Sequence, residues 1–437
     1  MNAMAKPMAR ATPINVRTST VAYSPAWFVR RQIANAERYL AGLAPFREDE
    51  FGSSAHAPSP AHIRAANRLV GEVRARLQHD IGQMRQIGEG LAQRSEPGQF
   101  GTLLRLKDKI YAQTKEAERL MAFYRGIFDQ RHGRYGPFLH PLDRIGRDCY
   151  QAVWSGLGKA RSIPAPAPFA YIEDGSGPAT YRRGVRLSTL GKRPNPFPLI
   201  KVPQHRVQNP WTLGAVPHEV AHNLQNDLGM WEVLPKRIRA AMNGKIPDEV
   251  IDTWARWHKE AYADQAGCLL IGPAYVESLI DVVAKQPKTT ARFNPDGVHP
   301  TPLVRVPINC RLLRRMGFSQ QADRFEATWS RIYPPSLRRS LPGPFAESFD
   351  AACDILVQVS CFQPETAYGG KALAEVVRFS PKDAKLVSEA ARRLVKGETT
   401  GVLPERLLIS AARDAFRAHQ NKAASISRHF YQALGRG

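Results

Sequence analysis

Apolar residues recur at helical spacing along two long stretches in the first third of the chain. One stretch begins at residue 61 and continues as far as Ile87, and the other covers residues 102–128. Because residues three and four apart share one face of an α-helix, this pattern predicts two long amphipathic helices. Residues 95–98 between them read Ser-Glu-Pro-Gly, so we expect an antiparallel helical hairpin.

The pattern changes at residues 163–168, which read Ile-Pro-Ala-Pro-Ala-Pro. Proline at every second position cannot continue a helix, so a third predicted helix, 142–157, ends before this segment. Short runs of β-like composition follow, separated by turn residues, and predict a small, mainly antiparallel sheet: 169–173, 181–190 and 198–202. Helical periodicity dominates the remaining chain and predicts these further helices: 210–228, 248–271, 273–284, 301–316, 319–331, 346–360, 370–377, 382–395 and 405–434.

These elements predict an α+β fold that is mainly helical and has four regions. Residues 1–60 are rich in alanine, proline and serine, and we expect a poorly ordered N-terminal tail or linker there. Residues 61–165 form a helical region that contains the hairpin. Residues 166–335 combine the small sheet with the helices that carry the candidate chemistry, and residues 336–437 form a C-terminal helical region.

The formal net charge is +23, from 62 lysine and arginine residues against 39 aspartate and glutamate residues. A field of this sign attracts polyanions, so nucleic acid is a possible partner. The charge is spread along the chain without a basic run, which favours a compositional bias over a binding tail. We therefore do not favour nucleic acid as the partner, and nothing in the pattern indicates an oligomeric state.

No stretch of the sequence is long and apolar enough to span a membrane, so no transmembrane insertion is expected. The first residues are basic but lack the apolar segment of a secretory signal. The five cysteines are odd in number, scattered and free of any C-x-x-C pair. This usage favours reduced thiols over a disulfide framework and predicts a cytoplasmic protein.

Residues 218–222 read His-Glu-Val-Ala-His, the pattern H-E-x-x-H. On a helix, His218 and His222 lie on the same face and can reach one ion. Zn²⁺ accepts two imidazole nitrogens and a third protein ligand, and leaves a fourth position for water. Glu219 is then placed to take the proton of that water as a general base. The bare pattern also occurs by chance on solvated helix faces, so the surrounding sequence must decide.

Glu260 is the predicted third metal ligand. A metzincin-type site would have a histidine six residues after His222, but Leu228 stands there. Glu260 and Asp264 are four residues apart on the predicted helix 248–271 and share one face, so Asp264 can accept a hydrogen bond from a ligand histidine and fix its tautomer. Small side chains would let this helix pack closely on the H-E-x-x-H helix: Ala261, Ala263, Ala266 and Gly267.

The sequence before the motif predicts how its helix begins. Asn209-Pro210 is a helix-start signal, whereas Pro217 removes a backbone donor immediately before His218. We expect the helix to restart there, with Pro217 in its first turn. The run at 198–203 leads into this region as a strand, whose exposed edge would bind an extended peptide by main-chain hydrogen bonds.

Together, His218-Glu219-x-x-His222 and Glu260-x-x-x-Asp264 are similar to the pattern of the gluzincin zinc metallopeptidases, which thermolysin and the CAAX-processing type of peptidase share. Residues 298–305 read Val-His-Pro-Thr-Pro-Leu-Val-Arg. They resemble the His-Pro segment with a nearby arginine that follows in the second group and in its soluble bacterial relatives. The resemblance covers about residues 166–320.

The resemblance implies zinc ligands at His218, His222 and Glu260, a general base at Glu219 and an orienting carboxylate at Asp264. It also implies that His299 or a neighbouring basic residue lies near the active cleft and steadies the oxyanion. Arg305 would pair with a substrate carboxylate or, as we favour, brace the acidic side chains. Because the sequence has no membrane-spanning segment, we do not expect membrane-embedded substrate processing.

The predicted function is the zinc-dependent hydrolysis of peptide bonds in a peptide or protein substrate. Glu219 would pass the proton of the water to the leaving amine, and a cationic group would stabilise the oxyanion. One alternative is a regulatory protease that acts on a repressor or another DNA-bound protein, with the positive charge serving recruitment. A second alternative is a non-catalytic helical interaction protein whose metal site is degenerate or structural.

Overall fold

The computed structural model describes residues 24–93, 97–175 and 177–435. These residues are predominantly helical with two small sheets, which confirms the predicted α+β class. In chain order, the helices are α1 (Pro25–Gly42), α2 (Pro60–Gln93), α3 (Pro97–Phe128), α4 (Gly136–Gly156), α5 (Gln204–Val207), α6 (Ala215–Asp227), α7 (Met230–Met242), α8 (Asp248–Ile271), α9 (Pro273–Val283), α10 (Pro287–Thr290), α11 (Pro302–Arg315), α12 (Ser319–Ile332), α13 (Pro335–Arg338), α14 (Gly343–Val357), α15 (Leu373–Val376), α16 (Pro381–Lys396), α17 (Leu407–Ala418) and α18 (Ala423–Gly435). The strands are β1 (Phe169–Ile172), β2 (Ala179–Tyr181), β3 (Arg186–Leu187), β4 (Arg193–Pro194) and β5 (Leu199–Val202).

The contacts within the chain divide it into two compact units. The first unit lies within Met1–Ala44 and Gly71–Glu118, and the second within Pro45–Val70 and Arg119–Gly437. The borders cut through α2 and α3 and so differ from the four regions expected from the sequence. All the candidate site residues belong to the second unit.

The predicted hairpin is present in the first unit, where α2 and α3 contact each other. Asp80 of α2 is only 2% exposed. It accepts hydrogen bonds from Lys109, at 2.9 Å, and from Gln113, at 2.8 Å, both on α3. A buried carboxylate requires such partners, so this cluster fixes how the two helices face each other.

The first unit also contains α1, which lies inside the segment expected to be a tail. The Ser24 side chain accepts a hydrogen bond from the Trp27 backbone N–H at 3.2 Å, and Pro25 occupies the first helical position. These are the features that start a helix, and Val29 and Ala36 are buried on one of its faces. The expectation of a tail is therefore wrong for Pro25–Gly42, while residues 1–23 lie outside the described part of the chain.

The larger sheet of the second unit has the strand order β1-β5-β2. β1 is parallel to β5, and β2 is antiparallel to it. β3 and β4 form a separate antiparallel pair. The run at 198–203 therefore contains a central strand with neighbours on both sides, and the prediction that it offers a free edge is wrong. A strand with Leu199, Ile200 and Val202 all buried suits the interior of a sheet. β2 is the outer strand of this sheet on the side of β5 away from β1.

The helix α8 forms the centre of the second unit, and most of its residues are buried. A helix that is covered on all sides belongs to a core and is not a surface amphipathic helix. It packs against α6, α7, α9 and α11. Within the described residues, none of the helices combines the length and hydropathy that crossing a bilayer requires.

Several predicted helices differ from those observed, among them 142–157, which begins earlier, as α4, and 370–377, which is reduced to α15. The stretch 210–228 is a short 3-10 turn at Pro210–Thr212 followed by α6. Beyond it, Gly229 adopts a positive φ of 73° and turns the chain into α7, which the sequence pattern did not reveal. The stretch 405–434 is two helices, α17 and α18, and 346–360 begins earlier, as α14, and ends in a π-helical turn at Gln358–Phe362.

Candidate metal centre

The two predicted histidine ligands lie one turn apart on α6. This helix begins at Ala215, so Pro217 stands in its first turn, where a missing backbone donor costs no helical hydrogen bond. The expected restart of the helix is therefore confirmed. His218 and His222 are both buried, and their ring centroids lie 4.8 Å apart with the ring planes at 86°.

Glu260 of α8 joins the two histidines. Its Oε2 atom lies 3.4 Å from His218 Nε2, and its Oε1 atom lies 3.3 Å from His222 Nε2. One ligand atom from each residue lies within 4.8 Å of the other two. Ligands of a tetrahedral zinc ion at ~2.0–2.1 Å are separated by roughly 3.3 Å, so the three side chains fit around one ion.

A buried pair, Asp264 and Tyr275, contacts the other nitrogen of His218. The Tyr275 hydroxyl donates to Asp264 Oδ1 at 2.6 Å. His218 Nδ1 lies 3.0 Å from that hydroxyl and 3.0 Å from Asp264 Oδ1. Because both neighbours can accept, Nδ1 carries a proton, and Nε2, which faces Glu260, is the nitrogen that a metal ion would take. The structure thus places Asp264 where it orients a ligand histidine.

Arg305 of α11 lies behind the carboxylates and is largely covered, with 11% of its side chain exposed. It donates to Asp264 Oδ2 at 2.8 Å and to Oδ1 at 2.7 Å, and it lies 3.6 Å from Glu260 Oε2. Burial by itself would raise the pKa of Asp264, but the guanidinium outweighs it and lowers this pKa to about 2. Of the two roles considered for Arg305, these contacts correspond to bracing the acidic side chains.

The acidic side chains favour a positive charge on His218. Burial opposes a charged imidazole, yet the hydrogen bonds to Asp264 and Glu260 raise the pKa of His218 to about 10. Burial likewise opposes the charge on Glu260, but hydrogen bonds from His218 and His222 hold its pKa well below the usual range. The site is therefore suited electrostatically to a cation, whether a proton on the His218 imidazole or a divalent metal.

Glu219 follows the first ligand on α6 and is 7% exposed. Burial raises the pKa of its carboxyl group, against the opposing influence of His218 and His222. Within the described residues its carboxylate forms no ion pair. A carboxylate with a raised pKa beside a metal cluster has the properties of a proton acceptor.

An open cleft of about 490 Å³ leads to the cluster and is lined by His218, Glu219, His222 and Glu260 and by the end of the sheet. Ala179 and Thr180 of β2 contribute to this lining. Asn223 of α6 donates to Thr180 Oγ1 at 2.8 Å and to the Glu219 carbonyl at 2.9 Å. The bond to Thr180 ties the edge strand to the helix that carries the histidines.

His299 lies at the mouth of the cleft. Its Nε2 atom is 3.4 Å from Glu260 Oε1, and 66% of its side chain is exposed. Two other aromatic side chains near Glu260 in the sequence point elsewhere. The Tyr262 hydroxyl lies 3.3 Å from that of Tyr368, and His258 contacts the backbone carbonyls of Ala255 and Trp231.

Sequence reasoning missed Tyr275 entirely. Its ring occupies the space in front of Gly267, where an added Cβ would lie only 2.4 Å from a ring carbon. The small residue at this position therefore makes room for Tyr275 of α9, whereas the sequence suggested that it serves packing on α6. A tyrosine after Gly-Pro carries no metal-site signature, so only the proximity of α8 and α9 reveals its role.

The donor set agrees with zinc. Two imidazole nitrogens and one carboxylate oxygen are the protein ligands of one type of catalytic zinc site. His222 Nδ1 is buried without a hydrogen-bond partner among the described residues, so His222 lacks the orienting contact that His218 has.

No family model, curated protein or solved structure matches this chain.

Proposed function

We propose that this chain is a zinc-dependent peptidase. The observation that carries the proposal is the convergence of His218, His222 and Glu260 on one point beside Glu219, at the base of an open cleft. Structural zinc sites are normally closed by four protein ligands, whereas catalytic sites have three and an open position. When bound, zinc would lower the pKa of a water molecule and polarise a carbonyl group.

The side chains around the cluster supply the remaining functions. Glu219 accepts the proton of the attacking water and delivers it to the leaving amine, a transfer that its raised pKa favours. His299, exposed at the cleft mouth, donates to the developing oxyanion. Tyr275 and Asp264 hold the His218 ring in the tautomer that leaves Nε2 free to bind metal.

The edge strand supports a peptide as the substrate. β2 ends the sheet and lines the cleft, and its outer backbone groups would pair with an extended chain. The hydrogen bonds of Asn223 hold this strand beside Glu219. All five cysteines are free and buried, which supports the cytoplasm as the location of the protein.

The proposal is tested by measuring metal content and hydrolysis together. We expect one zinc per chain and cleavage of a pool of unstructured peptides, detected by mass spectrometry. Glu219→Gln should keep the zinc and slow hydrolysis by about 10²–10⁴-fold, the usual contribution of a general base. His222→Ala should lose both the zinc and the activity.

Glu249→Gln is the matched control, since this exposed glutamate lies at the start of α8, outside the cleft. Its metal content and hydrolysis should equal those of the wild type. Unchanged hydrolysis by Glu219→Gln would contradict the proposed mechanism. A wild-type protein that neither binds zinc stoichiometrically nor cleaves any peptide would exclude the function itself.

A further inference from the structure

The same cleft contains a second group of charged side chains that the proposed chemistry does not use. Arg182, just after β2, and Lys259 of α8 both lie over the ring of Trp231, the second residue of α7. The Arg182 guanidinium carbon is 3.5 Å from the ring centroid, and Lys259 Nζ is 4.4 Å from it. All three residues line the cleft that leads to Glu260. We call this group the cationic wall.

We propose that the cationic wall binds a carboxylate of the substrate and so selects peptides that present one next to the scissile bond. This inference rests on the proposed peptidase function. Lys259 directly precedes the ligand Glu260 in sequence, so the wall and the metal cluster adjoin each other on α8. A substrate carboxylate bound there belongs to a residue close to the bond that is cleaved.

The contacts that hold the wall in place are with neutral groups and not with acidic side chains. Arg182 donates to Asn226 Oδ1 at 2.6 Å. His258 Nε2 lies 3.1 Å from the Trp231 carbonyl, which joins the start of α7 to α8. The aromatic face then positions both cationic groups. Side chains fixed before binding lose little conformational freedom when a ligand arrives.

The charges of the wall remain available for a ligand. Within the described part of the chain, neither Arg182 nor Lys259 forms an ion pair. Asp227 and Glu232 act on Arg182, and Glu232 and Glu260 act on Lys259, only at longer range. Two cations near one ring repel each other, and a bound anion would relieve that repulsion. Arg305 is not available to a ligand in this way, because its guanidinium already binds Asp264.

A carboxylate is the anion that a peptide offers, and arginine and lysine bind it through charge-assisted hydrogen bonds. It has two possible sources: an aspartate or glutamate side chain, or the α-carboxylate at the C-terminus of a substrate. Recognition of the side chain would make the protein an endopeptidase with acidic preference. Recognition of the α-carboxylate would make it a carboxypeptidase.

The test uses three pools of short peptides that are otherwise uncharged. The first pool has blocked ends and a central glutamate, the second has blocked ends and a central glutamine, and the third has the central glutamine with a free C-terminal carboxylate. Binding is measured by fluorescence anisotropy with the zinc-loaded Glu219→Gln protein, and cleavage is measured with the wild type. The Arg182→Gln/Lys259→Gln double variant is compared in both assays.

We expect the first or the third pool to bind and react about tenfold better than the second, the scale of one charge-assisted hydrogen bond. Which of them is favoured identifies the source of the carboxylate. The Arg182→Gln/Lys259→Gln double variant should bind and cleave all three pools equally well. The matched control is Lys245→Gln/Arg292→Gln, which removes two exposed cations outside the cleft and should keep the preference.

Equal binding of all pools to the protein, including no binding at all, would overturn the carboxylate-binding wall. A preference that persists in the Arg182→Gln/Lys259→Gln variant would do the same. Cleavage without preference would overturn the wall but leave the peptidase function standing. Selective binding without any cleavage by the wild type would instead support the wall and contradict the peptidase function.

Discussion

Arg305 and Asp264 form a buried, two-pronged ion pair with hydrogen bonds of 2.8 and 2.7 Å, directly behind the His218 ring. The two residues are 41 positions apart in sequence and lie on different helices, α11 and α8. The pair thus connects the position of a ligand histidine to the packing of the core. Removing either partner leaves the other largely shielded from water and without its main counter-charge.

We predict that Arg305→Met lowers the free energy of unfolding by about 3–5 kcal/mol, because Asp264, which is only 2% exposed, then loses the guanidinium and keeps only its hydrogen bonds with Tyr275 and His218. Urea unfolding at a fixed, saturating zinc concentration measures this change. The double variant Arg305→Met/Asp264→Asn should be destabilised less than the sum of the two single variants.

The control for this prediction is the exposed pair of Arg256 and Asp296, whose side chains are 38% and 90% exposed. Arg256→Met should cost below ~1 kcal/mol, since surface ion pairs contribute little. A loss for Arg305→Met that is no larger than the loss for Arg256→Met would show that the buried pair does not stabilise the fold.

Tyr275→Phe should weaken zinc binding by about tenfold, the lower end of the effect of residues that orient metal ligands. The hydroxyl is one of two acceptors for His218 Nδ1, and Asp264 remains as the other, so the loss is moderate. Competition with a chelator of known affinity measures the zinc dissociation constant. Tyr262→Phe on α8 is the matched control, because its hydroxyl faces Tyr368 and should leave zinc affinity unchanged. Equal affinities for both variants would argue against an orienting role for Tyr275.

His299→Ala should reduce kcat by about 10²-fold if this side chain donates to the oxyanion, while KM and zinc content stay near the wild-type values. His299 is exposed and contacts the cluster only through Glu260, so its removal leaves the core intact. The exposed His205 of α5 provides a control outside the cleft. A kcat within twofold of that of His205→Ala would remove His299 from the mechanism.

His62 makes stability dependent on pH. Burial lowers the pKa of its imidazole to about 4, from 6.5 in an unfolded chain. The neutral ring is satisfied, because Nδ1 lies 2.7 Å from Ser59 Oγ and Nε2 lies 2.9 Å from the Ala167 carbonyl. Between these two pH values the unfolded chain binds a proton that the folded chain does not.

The contribution of His62 to the free energy of unfolding is therefore complete above about pH 6.5 and declines as the pH falls towards 4. The total loss is about 3 kcal/mol for a pKa lowered by this amount. Unfolding free energies of the wild type and of His62→Gln, measured between these pH values, should converge as the pH falls. Parallel curves would show that His62 is not the group responsible.

The sequence predicted much of the site because its information is local. Residues four apart on a helix share a face, so spacing alone predicted that His218 lies beside His222 and that Glu260 lies beside Asp264. The structure brings these four side chains together with Glu219, and it places His299 and Arg305 beside them. Their roles in hydrolysis remain predictions until metal and activity are measured.

The parts that the sequence did not reveal depend on long-range packing. The edge strand was assigned to 198–203, yet β1 and β2 flank that strand. Strand order depends on which neighbours pair, and alternation along one strand carries no information about it. Tyr275 and the cationic wall were missed for the same reason, since Arg182, Trp231 and Lys259 come from separate elements.

By itself the sequence determined the α+β class, most helices and the set of candidate ligands, because periodicity and short-range spacing follow from the geometry of a single helix. The tertiary structure decided which nitrogen of His218 faces Glu260 and which strand borders the cleft. It also decided that, among the described residues, Arg305 is paired with an acidic side chain whereas Arg182 and Lys259 are not. Those properties arise from burial and from contacts between helices that are far apart in sequence, as between Asp264 and Arg305.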